Sequence, residues 1–323
     1  MLMIRGRFAP TPSGQMHIGN ARTALLAWLQ ARHAGGEFVL RMEDIDTQRS
    51  RADLARQILD DLRWLDLDWD EGPDVGGPHA SYVQSERQAL YADALARLSQ
   101  EGWLYPCYCS RAELAAIASA PHGLAEEGPR YPGLCRSLTP AQAAEKAARG
   151  KVPSLRFALP DEPVTFVDGI AGRQHAEVGA GGDFVVRRAD GMIGYQLAVV
   201  VDDAAMGITD VLRGWDLLDS TPRQILLFRA LGLTPPRFAH APLLFGPDGQ
   251  RLSKRHGSVT LAGLREGGAA PEQVVGYLAY FSGLLEQPEP VRPADLVGAF
   301  DLGRIPTSPV IITEEMLQHM AGR

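Results

Sequence analysis

The sequence predicts an α/β protein built around a doubly wound parallel sheet. Residues 5–10 read as a short strand, which prolines and a glycine then end in a turn. Apolar residues at helical spacing follow from Asn20, and residues 38–42 form the next apolar, strand-like run. This order of strand, turn, helix and strand opens the doubly wound nucleotide-binding folds, whose ligands lie beyond the carboxyl ends of the strands.

The first helix is predicted from the spacing of its apolar side chains. They fall at positions i, i+3, i+4, i+7 and i+8 and are Ala21, Ala24, Leu25, Trp28 and Leu29. Residues 17–19 therefore lie at the amino end of this helix, where free backbone N–H groups and the helix dipole favour a phosphate group. Gly35 and Gly36 end the helix before the next strand.

Two more amphipathic helices are predicted before the chain changes character near Trp103. Their apolar stripes are Ala55, Ile58, Leu59, Leu62 and Leu65 in the first and Leu90, Ala94, Leu95 and Leu98 in the second. Residues 103–136 then combine cysteines and prolines with a stretch rich in glycine and alanine, which indicates an insertion. The insertion continues through an alanine-rich helix at 141–148 and strand-like runs at 155–157, 164–167 and 183–188.

The chain is expected to return to the nucleotide fold near residue 194. The apolar run 197–201 predicts a second buried strand that ends in Asp202 and Asp203. Residues 1–104 and 194–240 are thus predicted to form a split Rossmann-type domain. Residues 105–193 are predicted to form an inserted α+β domain, and residues 241–323 a basic loop with a helical C-terminal region.

Two helical features are predicted in the last third of the chain. Thr221 is predicted to cap a helix with Pro222 in its first position and Gln224 in its third, the pattern of a capping box. After Gly257 the spacing of apolar residues predicts a mostly helical tail.

The composition is that of an ordinary globular protein. The chain has 323 residues, 45% of them hydrophobic and 22% charged, with a formal net charge of −7. This length predicts two or three domains. The net charge gives no global basic surface for nucleic acid, although a local basic stripe is compatible with it. No apolar run is long enough to span a bilayer and no signal peptide is visible, so a cytoplasmic protein with no membrane partner is expected.

The most informative motif combines a guanidinium, hydroxyls and an imidazole within one strand, turn and helix start. It reads Arg7-Phe8-Ala9-Pro10-Thr11-Pro12-Ser13-Gly14-Gln15-Met16-His17-Ile18-Gly19. An arginine fork suits bidentate recognition of a carboxylate. The block closely resembles the opening of the glutamyl-tRNA synthetases, R-F-A-P-S-P-T-G-x-x-H-I-G, and the resemblance extends through residues 21–25 and 40–46. Without that match, the block would read as a proline-rich strand exit with an incidental histidine.

The resemblance implies a role for each matching residue. His17 and Gly19 would bind ATP, and His17 would stabilise the α-phosphate in the transition state of adenylate formation. L-Glutamate would be bound by Arg7, Ala9, Thr11 and Glu43. Of these, Arg7 and Glu43 would hold its carboxylate and ammonium ends. Asn20 departs from the glycine or histidine that is usual at the fourth position of the HIGH motif, which does not change the chemistry of His17 and Gly19.

Two later blocks resemble the remainder of the same synthetase site. The run 194–214 looks like its second half, in which Tyr195 and Arg213 would contact the amino acid; a second arginine suits glutamate because it carries two carboxylates. Residues 245–257 resemble the L-S-K-R form of the KMSKS motif, and Lys254 matches the lysine that binds ATP and neutralises the leaving pyrophosphate. Taken alone, these blocks would be a core strand with a loop and a solvated basic loop.

The three cysteines of the chain, Cys107, Cys109 and Cys135, indicate a metal site rather than disulfides. One structural Zn²⁺ per chain suits them, and the alternative is that they pack as small hydrophobes. In the glutamyl-queuosine subgroup of the resembled family, Cys-x-Cys is followed by Tyr-x-x-x-Cys with the tyrosine oxygen as fourth ligand, which would be Tyr131 here. His122 remains the alternative fourth ligand, since an imidazole is chemically the better zinc ligand.

The phrases at 195–203 and 219–224 fit the glutamyl-queuosine subgroup better than full-length glutamyl-tRNA synthetases, in which helical anticodon-binding domains follow. The subgroup activates L-glutamate with ATP and Mg²⁺ and esterifies it to the queuosine base in the anticodon of tRNA(Asp). ATP, L-glutamate and this tRNA are therefore the expected partners, and a monomer is expected. Three alternatives remain: a short synthetase that charges the acceptor end of tRNA(Glu), a non-catalytic tRNA-binding paralogue and a generic nucleotidyltransferase. The retained Arg7, His17, Glu43 and Lys254 disfavour the paralogue, and the nucleotidyltransferase would not need two carboxylate-binding arginines.

Overall fold

The computed structural model describes residues 3–110, 113–114, 124–125, 128–129, 131–177, 182–246, 248–250, 252 and 260–322. Its strands are β1 (Arg5–Phe8), β2 (Glu37–Leu40), β3 (Leu104–Cys107), β4 (Leu124–Ala125), β5 (Gly128–Pro129), β6 (Ser154–Phe157), β7 (Val164–Asp168), β8 (Gly172–Ala176), β9 (Phe184–Arg187), β10 (Asp210–Gly214), β11 (Arg237–Ala241), β12 (Leu244–Phe245) and β13 (Val310–Ile311). Its helices are α1 (Ile18–His33), α2 (Ala52–Trp64), α3 (Gln88–Gln100), α4 (Pro140–Ala148), α5 (Tyr195–Ala205), α6 (Thr221–Ala230), α7 (Leu261–Glu266), α8 (Pro271–Phe281), α9 (Pro293–Leu296) and α10 (Glu314–Met320). None of the helices described is long and apolar enough to cross a bilayer.

A four-stranded parallel sheet in the order β11–β10–β1–β2 forms the centre of the fold. The predicted opening is present as β1, α1 and β2, with Gly6 of β1 opposite Phe38 of β2. Gly36 must be glycine at the turn into β2, because a Cβ there would overlap the carbonyl oxygen of Ile4. The predicted α/β class with a parallel sheet is confirmed.

The core extends from this sheet into the C-terminal helices. Leu25 and Leu29 of α1 belong to the same buried apolar cluster as Val274 and Leu278 of α8. A second buried cluster joins α3, α5 and α6 to strands β6 and β9 of the inserted region. Helix α8 therefore packs directly on α1, the helix that follows β1.

The predicted strand at 197–201 is wrong, because these residues lie within helix α5. Every residue from Leu197 to Asp203 is buried. A helix that is buried on all sides shows no polar face, so its apolar run cannot be distinguished from a buried strand by periodicity. Asp202 and Asp203 follow in the same helix rather than at the end of a strand.

The predicted capping box at the start of α6 is also wrong. Ser220 is the residue that precedes the helix, and its side chain makes no capping hydrogen bond. Thr221 and Gln224 instead accept hydrogen bonds from the Arg213 guanidinium, each at 2.8 Å. Both side chains are therefore held by a tertiary contact that sequence spacing does not reveal.

The inserted region contains two sheets in its described part besides the short pair β4–β5. Strands β3, β6 and β9 form an antiparallel sheet, and β7 pairs with β8 as a hairpin. The hairpin packs on β11 of the central sheet, where the Gly169 N–H donates to the Phe238 carbonyl at 2.8 Å. The limits of the domains stay a prediction, and the hairpin is one point at which the insertion contacts the central sheet.

Candidate active site

A cavity of about 460 Å³ opens beyond the carboxyl ends of the parallel strands. It brings together eight of the predicted site residues, which are Arg7, Ala9, Thr11, His17, Gly19, Glu43, Tyr195 and Arg213. The location is the one expected for ligands of a doubly wound sheet. Lys254 and His122 lie outside the described residues.

His17 is the N-cap residue of α1. Its Nδ1 accepts hydrogen bonds from the backbone N–H groups of Gly19 at 3.2 Å and Asn20 at 3.4 Å. A neutral imidazole that accepts at Nδ1 carries its proton at Nε2. The helix cap therefore selects the tautomer that provides an N–H donor in the cavity. Gly19 permits this arrangement, because a Cβ there would come within 3.1 Å of the His17 ring.

A buried network of acidic and basic groups connects Arg7 and Glu43 of the cavity lining. Arg41 donates to Glu43 at 2.9 Å and to Asp203 at 2.8 Å, and Arg7 donates from Nε to Asp203 at 3.3 Å. Burial alone would raise the pKa of Asp203, but the positive charges of Arg7 and Arg41 outweigh it and lower that pKa. Burial dominates at Glu43 and raises its pKa, although Arg41 and Arg7 oppose the shift.

Arg213 faces the same cavity and is bound by neutral groups. It donates to His240 at 2.9 Å, to Gln224 and Thr221 at 2.8 Å each, and to the Leu217 carbonyl at 3.2 Å. No carboxylate contacts its guanidinium in the part of the chain that the structure describes. Burial lowers the pKa of Arg213, and an arginine stays charged through shifts of this kind. The guanidinium is therefore held in one orientation by neutral groups, and its positive charge has no carboxylate partner among the described residues.

The described residues on either side of the segment that contains Lys254 line the cavity or contact His17. Leu252, two positions before Lys254 in sequence, lines the cavity and bonds through its N–H to the Leu244 carbonyl at 3.2 Å. After the segment, Thr260 forms a β-bridge with His17, and the Leu261 N–H donates to the Met16 carbonyl at 2.9 Å. The described residues that flank this segment thus lie at the same cavity as the first block.

Several site residues were missed by the sequence analysis. Arg41 and Asp203 connect Arg7 to Glu43, and His240 and Gln224 orient Arg213. Arg41 and Asp203 lie inside the runs already recognised, so their position within a motif was an available signal. His240 carried no such signal, because its partners come from separate parts of the chain.

The three cysteines form one cluster, with their sulfur atoms all within 4.8 Å of one another. Cys109 Sγ lies 3.7 Å from Cys135 Sγ, and the Tyr131 hydroxyl lies 3.4 Å from Cys107 Sγ and 3.6 Å from Cys109 Sγ. Burial alone would raise the pKa of Cys107, but hydrogen bonds from Tyr131 and Arg156 outweigh it and lower that pKa. Burial and the neighbouring thiols raise the pKa of Cys109 to about 11. The cluster thus brings together four atoms that could bind a metal ion, namely three cysteine sulfurs and the Tyr131 hydroxyl oxygen, and their groups differ in acidity.

The fold and this site can now be compared with known proteins. The family described as "tRNA synthetases class I (E and Q), catalytic domain" matches residues 3–318. The chain belongs to this family. The predicted membership in the glutamyl group of class I synthetases, and with it the prediction of a ligase, is confirmed.

Relatives of this class I synthetase include proteins of two names. "Glutamyl-Q tRNA(Asp) synthetase" of Symbiobacterium thermophilum is 69% identical over 320 residues, which cover 99% of each chain. The protein of the same name from Nitratidesulfovibrio vulgaris is 49% identical over 98% of each chain. "Glutamate--tRNA ligase 1" of Halorhodospira halophila is 46% identical over 98% of this chain and 67% of its own. The crystal structure of a glutamate-tRNA synthetase from Elizabethkingia anophelis superposes with a TM-score of 0.87 at 30% identity, covering 98% of this chain and 69% of its own.

Proposed function

We propose that this synthetase activates L-glutamate with ATP to glutamyl-adenylate and transfers the glutamate to the queuosine base of tRNA(Asp). Activation of glutamate is supported by the buried charge of Arg213, which contacts no carboxylate among the described residues. The same cavity is lined by Arg7 and Glu43. A buried charge without a carboxylate partner favours an anionic ligand. Glutamate brings a second carboxylate on its side chain for this charge, whereas the side chain of glutamine is neutral.

The amino-acid end of the cavity suits glutamate in detail. Arg7 uses Nε for Asp203, and the rest of its guanidinium makes no further hydrogen bond among the described residues. Glu43 Oε1 accepts from Arg41, and Oε2 is the oxygen that can accept from a substrate ammonium group. Tyr195, Ala9 and Thr11 complete the wall between the two arginines. We assign glutamate binding to six residues, which are Arg7, Ala9, Thr11, Glu43, Tyr195 and Arg213.

The ATP end is formed by His17, Gly19 and the amino end of α1. A helix of this length presents its first N–H groups and the positive end of its dipole to phosphate oxygens. Bound Mg²⁺ would neutralise charge on the phosphates of ATP. We assign the same task at the leaving pyrophosphate to Lys254, because Leu252 and Thr260 on either side of its segment contact the cavity or His17.

The cysteine cluster fits one structural Zn²⁺. Around tetrahedral zinc, ligand sulfurs are separated by about 3.8 Å, and a sulfur and an oxygen ligand by about 3.5 Å. The observed Sγ–Sγ distance of 3.7 Å and Sγ–Oη distances of 3.4 and 3.6 Å agree with those edges. We therefore assign Cys107, Cys109, Cys135 and Tyr131 as its ligands. The Tyr131 oxygen also accepts from the Cys135 N–H at 2.9 Å, which suits a metal-bound phenolate.

The identity of the RNA rests on the relatives. The two named for glutamyl-Q and tRNA(Asp) are 69% and 49% identical to this chain, against 46% for the glutamate–tRNA ligase of H. halophila. Charging of tRNA(Glu) is the competing outcome, and both reactions would use the same adenylate.

The first half of the proposal is tested by pyrophosphate exchange without tRNA. We expect exchange with glutamate, and little with aspartate or glutamine, because aspartate is too short to span the two arginines and glutamine leaves Arg213 unpaired. Arg213→Gln should raise the KM for glutamate about tenfold or more, the effect of losing a charged hydrogen bond. Arg237→Gln is the matched control, since Arg237 forks with Asp210 on the same pair of strands outside the cavity lining. Equal exchange with glutamine would contradict the assignment of Arg213.

A further inference from the structure

Three buried side chains connect the inserted hairpin to the glutamate site. Asp168 is the last residue of β7, His240 lies in β11 and Arg213 in β10. Asp168 Oδ2 lies 2.6 Å from His240 Nδ1, and Arg213 Nε lies 2.9 Å from His240 Nε2. Their exposed fractions are 2%, 0% and 3%. The chain of contacts is therefore shielded from water along its whole length.

The hydrogen bonds allow one arrangement of protons. Asp168 Oδ1 accepts from the backbone N–H groups of Ile170 at 3.0 Å, Ala171 at 2.8 Å and His240 at 3.0 Å. The other oxygen, Oδ2, is left for His240 Nδ1. Because Arg213 Nε always carries hydrogen, it must donate, and His240 Nε2 must accept. The His240 proton therefore lies on Nδ1, where Asp168 accepts it.

His240 stays neutral in this setting. Burial lowers its pKa, and the charge of Arg213 acts in the same direction, although Asp168 opposes both. A neutral imidazole has one donor and one acceptor nitrogen, so the tautomer decides which neighbour each nitrogen can bind. The other tautomer would direct an N–H at Nε2 against the N–H of Arg213.

We infer that Asp168 and His240 are positioning residues of the glutamate site, in which Asp168 selects the His240 tautomer that fixes Arg213. This inference rests on the proposed function, since it makes Arg213 the residue that binds the substrate carboxylate. It also gives the inserted hairpin a part in amino-acid binding, because β7 provides the carboxylate that orients a side chain of the central sheet.

The relay, which is the chain of hydrogen bonds from Asp168 through His240 to Arg213, explains how the Arg213 guanidinium is held in place without a carboxylate partner. A carboxylate in direct contact with the guanidinium would orient it but would compete with the substrate for the same N–H groups. Asp168 acts from one imidazole away, and His240 is its only side-chain partner among the described residues. The hydrogen bond from Arg213 Nε to His240 holds the arginine side chain in place. Its positive charge can then bind the carboxylate of the ligand.

Asp168→Asn tests the relay with a change that keeps the shape of the side chain. The asparagine oxygen is expected to stay on the three backbone N–H groups, so that its NH2 faces His240 Nδ1 and forces the proton to Nε2. The KM for glutamate in pyrophosphate exchange should rise about tenfold or more, while the KM for ATP stays unchanged. His240→Phe, which cannot accept from Arg213, should have the same effect.

Asp210→Asn is the matched control, because the buried Asp210 forms an ion pair with the exposed Arg237 on the same two strands at their opposite end. It should leave both KM values unchanged. Long-range ¹H–¹⁵N correlation spectra of the full chain would read the tautomer directly. We expect protonated Nδ1 in the unaltered protein and in Asp210→Asn, and protonated Nε2 in Asp168→Asn.

The outcomes separate the relay from the proposed function. A protonated Nε2 in the unaltered protein would overturn the relay whatever the activity is. An Asp168→Asn protein that folds and keeps its KM for glutamate would overturn it as well. Absence of glutamate-dependent exchange in the unaltered protein would refute the proposed function instead, and the tautomer spectrum would still decide where the proton lies.

Discussion

His17 contributes to the fold and to the proposed chemistry through different atoms of one ring. Nδ1 caps α1, and the remaining nitrogen is the donor that the cap makes available in the cavity. The sequence motif predicted the residue and its place at a helix start. It did not predict that the cap sets the tautomer, since that depends on the geometry of the turn.

The two roles of His17 can be separated by substitution. Asparagine is among the best N-cap residues, so His17→Asn should keep the cap and lose the Nε2–H donor. We expect turnover in pyrophosphate exchange to fall about a hundredfold, with the melting temperature and the KM for glutamate little changed. His17→Ala should lose about 1 kcal/mol of stability in addition. Near-normal turnover of His17→Asn would mean that the imidazole has no part in the transition state.

Residues within a motif were predictable, and their partners were not. Arg7, Glu43, Tyr195 and Arg213 all reach one cavity, as their motifs implied. Asp203 lies far from Arg7 in sequence, and only the packing of α5 brings the two together. Ionic and hydrogen-bonded contacts of this kind leave no periodic trace in a sequence.

Among the elements, the spacing of apolar residues predicted helices α1 and α2, whereas the buried helix α5 was predicted as a strand. Helix α2 alternates buried and exposed positions and was predicted at 55–65. Helix α5 has no polar face, and its valines favour a strand by propensity, so it was predicted as one. Tertiary contacts decided the outcome, because the two aspartates at 202 and 203 bind arginines of other elements.

Helix α2 also carries a buried acidic residue that should make stability depend on pH. Neither carboxylate oxygen of Asp61 has a hydrogen-bond partner among the described residues, and Arg265 of α7 lies 3.5 Å from Oδ1. Burial raises the pKa of Asp61 to about 6, above the value of about 3.9 expected in the unfolded chain. The folded state then binds the proton more tightly, so this residue lowers the free energy of unfolding as pH rises from about 4 to 6.

Asp61→Asn removes that titration. We expect the stability of the variant relative to the unaltered protein to increase as pH rises through this window and to level off above it. Urea unfolding of both proteins between pH 4 and 8 measures the difference. A difference that is constant across this range would show that Asp61 does not titrate there.

The cysteine cluster gives a second prediction at this scale. Metal binding can supply folding energy to a loop-rich segment. Elemental analysis should find about one zinc per chain, and Tyr131→Phe should release it to a chelator faster than His122→Ala does. The cavity residues lie outside this cluster, so zinc loss should impair transfer to tRNA more than pyrophosphate exchange. Full transfer activity in metal-free protein would instead leave the cysteines as packing residues.

The whole molecule has a core that continues from the central sheet into the C-terminal helices. Gly276 of α8 lies against the backbone of Glu289, where an added Cβ would overlap the carbonyl oxygen. Gly276→Ala should therefore destabilise the protein by about 1–3 kcal/mol. It should also lower the melting temperature of the sheet, because α8 packs on α1.

Gly298→Ala is the control, since an added Cβ there meets no atom within 4 Å. It should change stability by less than about 0.5 kcal/mol. Thermal unfolding followed by circular dichroism compares the two. A Gly276→Ala protein that lost only its C-terminal helices, in a separate transition, would contradict a shared core.

The nucleic acid that receives the glutamate decides the proposed function. It is measured by the transfer of radiolabelled glutamate, with ATP and Mg²⁺, to tRNA(Asp) with and without queuosine and to tRNA(Glu). We expect label on tRNA(Asp) only when queuosine is present. Label on tRNA(Glu), or equal label on both forms of tRNA(Asp), would contradict it.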